Sequence, residues 1–323
     1  MYTTNRKAAE FYPFFDPLRD GHTLGWTTKT GIALGSGAVY LLLQYYSFPD
    51  KMDFFQQYCW VLGIIISTSM LAMYVAAEVF RHSLATMHKM EVGHFVSQEI
   101  VSKWLTDKKY LLAGFGFATV NTAVGHLLGV PAEFHESVVS LSAIYLGMFA
   151  AGFASGMGLL GIFAIIILYL RFAPNLQYAL NPENPDGIGG IKKLGDALWF
   201  FGALTGLVGV LVSIFMFGVN WTNVHNEIIQ NLFLFWVSLP YVFAVSIVLI
   251  PGLAVRRQIS YFKHYKEKQL KREKAKLYSS YKKFDAMEDD AIINEKKVIK
   301  ERLNRIQDEL EKLRKMRNSH IDR

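Results

Sequence analysis

The stretch VVSLSAIYLGMFAAGFASGMGLLGIFAIIILYL, residues 138–170, decides the fold of this chain. It contains no Asp, Glu, Lys or Arg. A membrane-spanning helix needs about 20 mostly apolar residues, so this stretch is long enough to cross a bilayer and continue beyond it. The glycines near Gly156–Met157–Gly158 leave a second possibility, in which two short helices meet at a break.

Similar apolar runs on both sides of this stretch predict about six spans. Of the whole chain, 52% is hydrophobic and only 19% is charged, whereas soluble domains contain about 25% charged residues. The expected fold class is therefore all-α, a polytopic membrane protein. The expected spans are Thr30–Phe48, Gln57–Ala77, Tyr110–Val130, Val138–Leu170, Ala197–Val219 and Gln230–Val255.

The loop cations decide between one helix and two in residues 138–170. With six spans, both termini and the long loops 80–109 and 171–196 lie on one side of the membrane. That side then has nearly all the loop Lys and Arg residues, and the opposite loops contain only Lys51. Loops rich in Lys and Arg are cytoplasmic. We therefore expect six spans, both termini in the cytoplasm, and a location in the plasma (inner) membrane.

Charge also divides the chain into three parts. Residues 1–29 form a cytoplasmic N-terminal segment, residues 30–255 the transmembrane domain, and residues 256–323 a charged cytoplasmic helical domain. Residues 256–283 include eleven Lys or Arg. Beyond them, apolar residues recur at near 3–4 spacing, which is typical of a coiled-coil seam: Ile292, Ile299, Leu303, Ile306, Leu310 and Leu313. The seam predicts either a hairpin within the chain or pairing between subunits.

The sequence contains no recognisable catalytic motif. It has no Gly-x-Ser-x-Gly, no Gly-x-x-x-x-Gly-Lys phosphate loop and no His-Glu-x-x-His. The densest group of metal-ligand types is His126, Glu133, His135 and Glu136. This group has no diagnostic spacing, and metal sites need three or four convergent ligands. We expect no enzymatic activity, no metal and no cofactor.

A glycine-rich segment, Gly187–Gly190, precedes Lys192 and Lys193. Backbone N–H groups at the start of a helix can bind a phosphate, and nearby lysines would assist. The favoured alternative is an ordinary turn between two helices, because short glycine-rich strings match many unrelated loops.

Small and polar residues inside the expected spans are candidates for helix packing or for a pore lining. Polar side chains facing lipid are costly, so they are expected to face protein or water. Two small residues four apart allow helix backbones to approach closely. The candidates are Ser67, Tyr74 and Glu78 in the second span, Thr119, Thr122 and His126 in the third, and Gly152 and Gly156 in the fourth.

The combination of an apolar helical bundle, short outer loops and a basic cytoplasmic helical module resembles the membrane effectors of bacterial antiviral defence systems. The resemblance implies a homo-oligomeric channel that opens when a nucleotide or oligonucleotide binds. The expected anion-binding residues are Lys274, Lys276, Lys282 and Lys283. At about 1.5 Å per helical residue, they lie beyond the reach of the lipid surface.

A non-conducting membrane scaffold is the alternative function. In that case the tail binds a cytoplasmic partner protein or anionic lipid, which is the commoner use of basic segments beside a membrane. A secondary transporter is less favoured, because the sequence shows neither an internal repeat nor a charge in the middle of a span.

Overall fold

The computed structural model describes residues 25–90, 106–176, 180–285 and 293–317, which are helical with no β-strand among them. Within these ranges we number eight α-helices: α1 Trp26–Ser47, α2 Lys51–Gln56, α3 Cys59–Met90, α4 Asp107–Leu128, α5 Val138–Phe172, α6 Lys192–Gly218, α7 Glu227–Asp285 and α8 Ile293–Lys315. The expected all-α class is confirmed.

Five of these helices, α3 to α7, are long and apolar enough to cross a membrane. The fold is therefore compatible with a multi-pass membrane protein. Residues 138–172 form one continuous helix, so there is no break at the glycines near Gly156. The expected first span corresponds to α1, which has 22 residues but is not among the five apolar helices. Its buried residues include Lys29 and Gln44, which lower its hydropathy.

Four long helices form a ring. Helix α3 packs against both α5 and α6, and α7 also packs against both, whereas α5 and α6 have almost no close contacts with each other. Helix α4 lies along α5, and α1 lies against α3 and α5. Because α5 and α6 face each other without packing side by side, the centre of the ring stays open.

The two ends of the bundle have separate apolar cores. We call the end from which α7 projects towards α8 the tail end, and the opposite end the far end. The tail-end core includes Phe172, Leu176 and Leu198, and it extends into residues 180–191 between α5 and α6. The far-end core includes Phe48, Phe134 and Trp221 from three different connections.

Helix α3 continues well beyond its expected membrane segment. It ends at Met90, so the first part of the expected loop 80–109 is helical. Residues 91–105 of that loop lie outside the described residues.

Helix α7 is the longest element, with 59 residues that include Pro240 and Pro251. At about 1.5 Å per residue it is about 88 Å long, roughly three times the thickness of a bilayer core. Its outer half packs against α8, with Leu270 against Ile306 and Leu310 in a small buried cluster. Lys263 bonds to residue 316 and Lys274 to residue 307, so the two helices run antiparallel.

Candidate functional site: a central cavity and the tail that contacts its helices

A cavity of about 210 Å³ lies at the centre of the ring. Residues from α3, α4, α5, α6 and α7 line it, together with Trp221 after α6. None of the lining residues is Asp, Glu, Lys, Arg or His. The walls are mainly Leu, Ile, Val, Met, Phe and Ala side chains, so the cavity offers an apolar ligand a matching surface.

Small residues on α5 border this space. Gly152, Ser155, Gly158 and Gly161 lie along the cavity wall. A β-carbon built on Gly158 would meet nothing within 4 Å. Helix α6 contributes Leu204, Thr205 and Val208 to the lining.

Packed side chains close the cavity at the tail end. Ile165 and Phe201 are among its last lining residues on α5 and α6. One turn further, Leu168 and Leu198 are fully buried. Beside them the Tyr169 hydroxyl donates a hydrogen bond of 2.9 Å to the Leu194 carbonyl, which joins α5 to α6.

The far end is closed by the connection between α6 and α7. The Trp221 indole N–H donates to the Met216 carbonyl at 2.9 Å, and the ring lies edge-on against Phe215. Asn223 then ties this connection to the end of α4, through its backbone N–H to the Leu128 carbonyl and its side chain to the Leu127 carbonyl. Direct access along the bundle axis is therefore blocked at both ends.

A polar network crosses the cavity wall towards its far end. Asn121 on α4 donates a hydrogen bond to the Met148 carbonyl on α5 at 2.6 Å. Its amide oxygen accepts from the Trp236 indole N–H on α7 at 3.1 Å, and Trp236 stacks on Phe117. These bonds fix three helices in register. Asn121 lies between Thr119 and Thr122 in the sequence, but neither Asn121 nor Trp236 was among the expected site residues.

The expected polar stripe of the third span does not line this cavity. The Thr119 and Thr122 hydroxyls donate to carbonyls one turn back in their own helix, which satisfies them without a partner helix. His126 is exposed and bonds to the Tyr145 hydroxyl at 2.8 Å. The stripe therefore contributes one bond between α4 and α5.

The expected stripe of the second span also lies outside the cavity lining. Ser67 lies where α3 meets Gly37 of α1. Tyr74 is buried, and its ring lies 5.9 Å from the ammonium of Lys29. Glu78 is half-buried and pairs with Arg81 at 3.1 Å. Ser67 and Tyr74 therefore help to fix α1 against α3, and Glu78 lies near the tail end.

Gly152 and Gly156 both lie against α4. A β-carbon on Gly156 would come within 2.6 Å of the Ala113 carbonyl oxygen. One on Gly152 would come within 2.9 Å of the Ala118 α-carbon. Both glycines therefore allow the close approach between backbones that the small-x-x-x-small pattern favours.

The glycine-rich connection binds a carboxylate of its own chain. Asp186 accepts hydrogen bonds from the backbone N–H groups of Ile188, Gly190 and Lys192 at 2.8–3.1 Å. Gly189 and Gly190 have φ values of +82° and +100°, which only glycine adopts without strain. The N–H groups that a phosphate would need are therefore already used, and the alternative of a structural turn fits the geometry.

The end of α8 docks onto this same connection. Met316 is buried in the tail-end core, with its methyl group close to Gly189. The Lys263 ammonium donates to the Met316 carbonyl at 2.7 Å, and the N–H of Arg317 donates to the Gly187 carbonyl at 2.8 Å. We call this arrangement the tail contact; it joins α7, α8 and the α5–α6 connection.

An exposed ion pair lies beside the tail contact. Lys312 on α8 pairs with Glu183 at 2.7 Å. The hydrogen bond and the charge of Lys312 lower the pKa of Glu183, and Glu183 in turn raises the pKa of Lys312. Partial burial lowers the pKa of Lys263.

The four expected anion-binding lysines occupy two kinds of position. Lys274 faces α8, where its ammonium bonds to the Gln307 side chain at 2.6 Å. The remaining three are exposed on the projecting part of α7: Lys276, Lys282 and Lys283.

No group of three His, Cys, Asp or Glu residues suited to a metal occurs among the described residues.

Comparison of this chain with protein-family models, with curated proteins and with solved structures finds no match.

Proposed function

We propose that this chain is a gated membrane conduit with six spans and both termini in the cytoplasm, held closed by its own tail. The observation that carries the proposal is the cavity. It lies on the bundle axis, most of the long helices line it, and packed side chains close it at both ends. Apolar constrictions of this kind gate pores by excluding water.

Helix α1 supplies the sixth span in this proposal. Its 22 residues are about 33 Å long, which is enough to cross a hydrocarbon core of about 30 Å. It lies against α3, with Gly37 beside Gly63 and Ser67. Six spans place both termini on the same side of the membrane. Because the C-terminal half of α7 is basic, that side is the cytoplasmic side of the plasma (inner) membrane in this proposal.

Control by the tail is supported by the tail contact. Helix α8 bonds to α7 and to the connection between α5 and α6, and all three of those helices line the cavity. Separation of α8 would uncover Met316 and the apolar residues Leu180 and Ile188 beneath it. The closed packing at the tail end would then be weakened.

An anionic ligand, such as a nucleotide or oligonucleotide, could act through Lys274. An anion bound at Lys276, Lys282 and Lys283 would compete with Gln307 for the nearby Lys274 ammonium and so weaken the contact between α7 and α8. A ligand shifts such an equilibrium only by its differential affinity for the two states. The homo-oligomer would assemble through lipid-facing surfaces, because α7 of the same chain covers Ile306 and Leu310.

Single-channel recording of the purified protein in planar bilayers tests the proposal. Met316→Ala removes a buried side chain, which costs about 2–5 kcal/mol at buried positions, and should raise the open probability. Lys315→Ala is the matched control, since this neighbouring side chain is 75% exposed. A wild type and a Met316→Ala variant that both fail to conduct would contradict the conduit.

A non-conducting scaffold is the second candidate. The apolar and closed cavity favours it, because no charged or histidine side chain lines a path for ions. The exposed lysines of α7 would then bind a partner protein or anionic lipid. This candidate requires that neither the wild type nor the Met316→Ala variant conducts, and that the protein binds anionic vesicles through α7.

A further inference from the structure

We propose that the central cavity binds the hydrocarbon chain of a membrane lipid. The first support is its shape. Its lining on α4 extends from Tyr110 to Leu128, a distance of about 27 Å at 1.5 Å per residue. The hydrocarbon core of a bilayer is about 30 Å thick, so the cavity follows nearly its full depth.

The chemistry of the wall is the second support. Most of the polar groups that reach the cavity are already bonded within the protein: Asn121 and Trp236 to each other, Trp221 to Met216, and Thr205 to the Phe201 carbonyl one turn back. Ser69 is buried, and its hydroxyl has no partner among the described residues. The Ser155 hydroxyl also borders the cavity, but the wall as a whole is apolar, whereas a bound water needs two to four polar partners.

The volume is large enough for an apolar guest. Apolar cavities of about 150 Å³ stay dry but bind apolar molecules such as benzene. The present cavity is larger, at about 210 Å³, and its walls would gain contacts from any apolar chain that entered. A bilayer supplies such chains at very high concentration.

Access is lateral. The cavity is closed at the tail end beside Tyr169 and at the far end by Trp221. A molecule from the aqueous phase therefore has no axial route, whereas a lipid chain can enter between neighbouring helices, for example where α4 and α7, which both line the cavity, have few close contacts with each other. The absence of a charged lining residue keeps the headgroup outside and admits only the chain.

Photocrosslinking of the full chain in phosphatidylcholine vesicles tests this inference. The probe is phosphatidylcholine with a diazirine in one acyl chain, and mass spectrometry locates the labelled residues. We expect label at cavity residues such as Leu204 and Val208, in addition to outward-facing residues such as Leu112, which is 74% exposed. A parallel arm with a diazirine fatty acid distinguishes a phospholipid chain from a free fatty acid.

Two glycine variants provide a matched pair. Gly158→Phe fills open space inside the cavity, and should reduce cavity labelling about tenfold by steric exclusion. Gly116→Phe adds the same ring to an exposed position of α4 that also has open space, and should leave the labelling unchanged. Wild-type protein labelled only at outward-facing residues overturns the inference, even if Gly158→Phe does not fold. The inference holds whether or not the bundle conducts.

Discussion

Replacement of Ile306 by alanine should release α8 from α7. Ile306 is fully buried, and among the residues that the structure describes, Leu270 and Leu310 share its buried cluster, with Leu277 packed at the edge. Truncation of a buried isoleucine costs about 2–5 kcal/mol. Charged α8 has few other apolar contacts along its middle, and an isolated helix of 23 residues has little stability of its own.

Hydrogen exchange of the α8 amides measures this loss. A destabilisation of about 2–4 kcal/mol corresponds to an increase of roughly 30-fold to 1000-fold in the population of the released state, because each 1.4 kcal/mol is a factor of ten. Asp308→Ala is the control, since Asp308 is exposed two residues further along the same helix. Unchanged exchange in α8 after Ile306→Ala would show that the seam contributes nothing to docking. A change in particle mass would instead show pairing between subunits.

Three further outcomes are expected. In a chain without Cys59, a cysteine at Asp50 should react with an impermeant reagent in intact cells, and one at Ser279 should not. The expectation follows from the proposed topology, in which the loop cations predict a cytoplasmic position for the projecting part of α7. The reverse pattern would mean an inverted topology. Gly156→Leu should reduce the thermal stability of the bundle, measured in detergent, because its β-carbon would lie 2.6 Å from a backbone oxygen, whereas Gly116→Leu should not; equal melting temperatures would contradict close packing. Replacement of Lys276, Lys282 and Lys283 by glutamine should weaken oligonucleotide binding and reduce its salt dependence, while binding to vesicles persists. Unaltered oligonucleotide binding would exclude these three lysines from the anion-binding site.

The helices were predictable because the signal for them is local. An uncharged run such as residues 138–170 can bury its backbone polar groups in a bilayer only as a helix, so its length and loop charge were sufficient to predict one continuous element. The pair Gly152 and Gly156 was likewise readable, because a small-x-x-x-small pattern has one common structural use.

The cavity could not be predicted, because it depends on which helices are neighbours. Thr119 and Thr122 suggested a polar lining, but a hydroxyl in a helix can satisfy itself on the carbonyl one turn back, and both do so. Gly158 received no more weight than Gly156, although one borders open space and the other contacts α4. Asn121 was a better candidate than the two threonines for a residue that joins helices, because an amide inside a span needs a partner on another helix.

The loop around Asp186 also shows a feature that the sequence predicted only in part. The sequence correctly marked residues 187–190 as a place where backbone N–H groups converge, and it offered a phosphate as one possible occupant. The aspartate one residue earlier was the better candidate, since Asp side chains commonly bond to backbone N–H groups two residues on.

The tail contact also has a consequence for the order of events during synthesis. Lys312 and Glu183 are 129 residues apart in sequence, and Met316 follows still later. At about 5–20 residues per second, a ribosome needs roughly 6–26 s to make the chain between them. During that interval the α5–α6 connection has emerged without the residues that cover Leu180 and Ile188. A nascent chain that stalls before α8 therefore presents an apolar surface to chaperones and proteases, which makes completion of the C-terminal helix a checkpoint for the whole bundle.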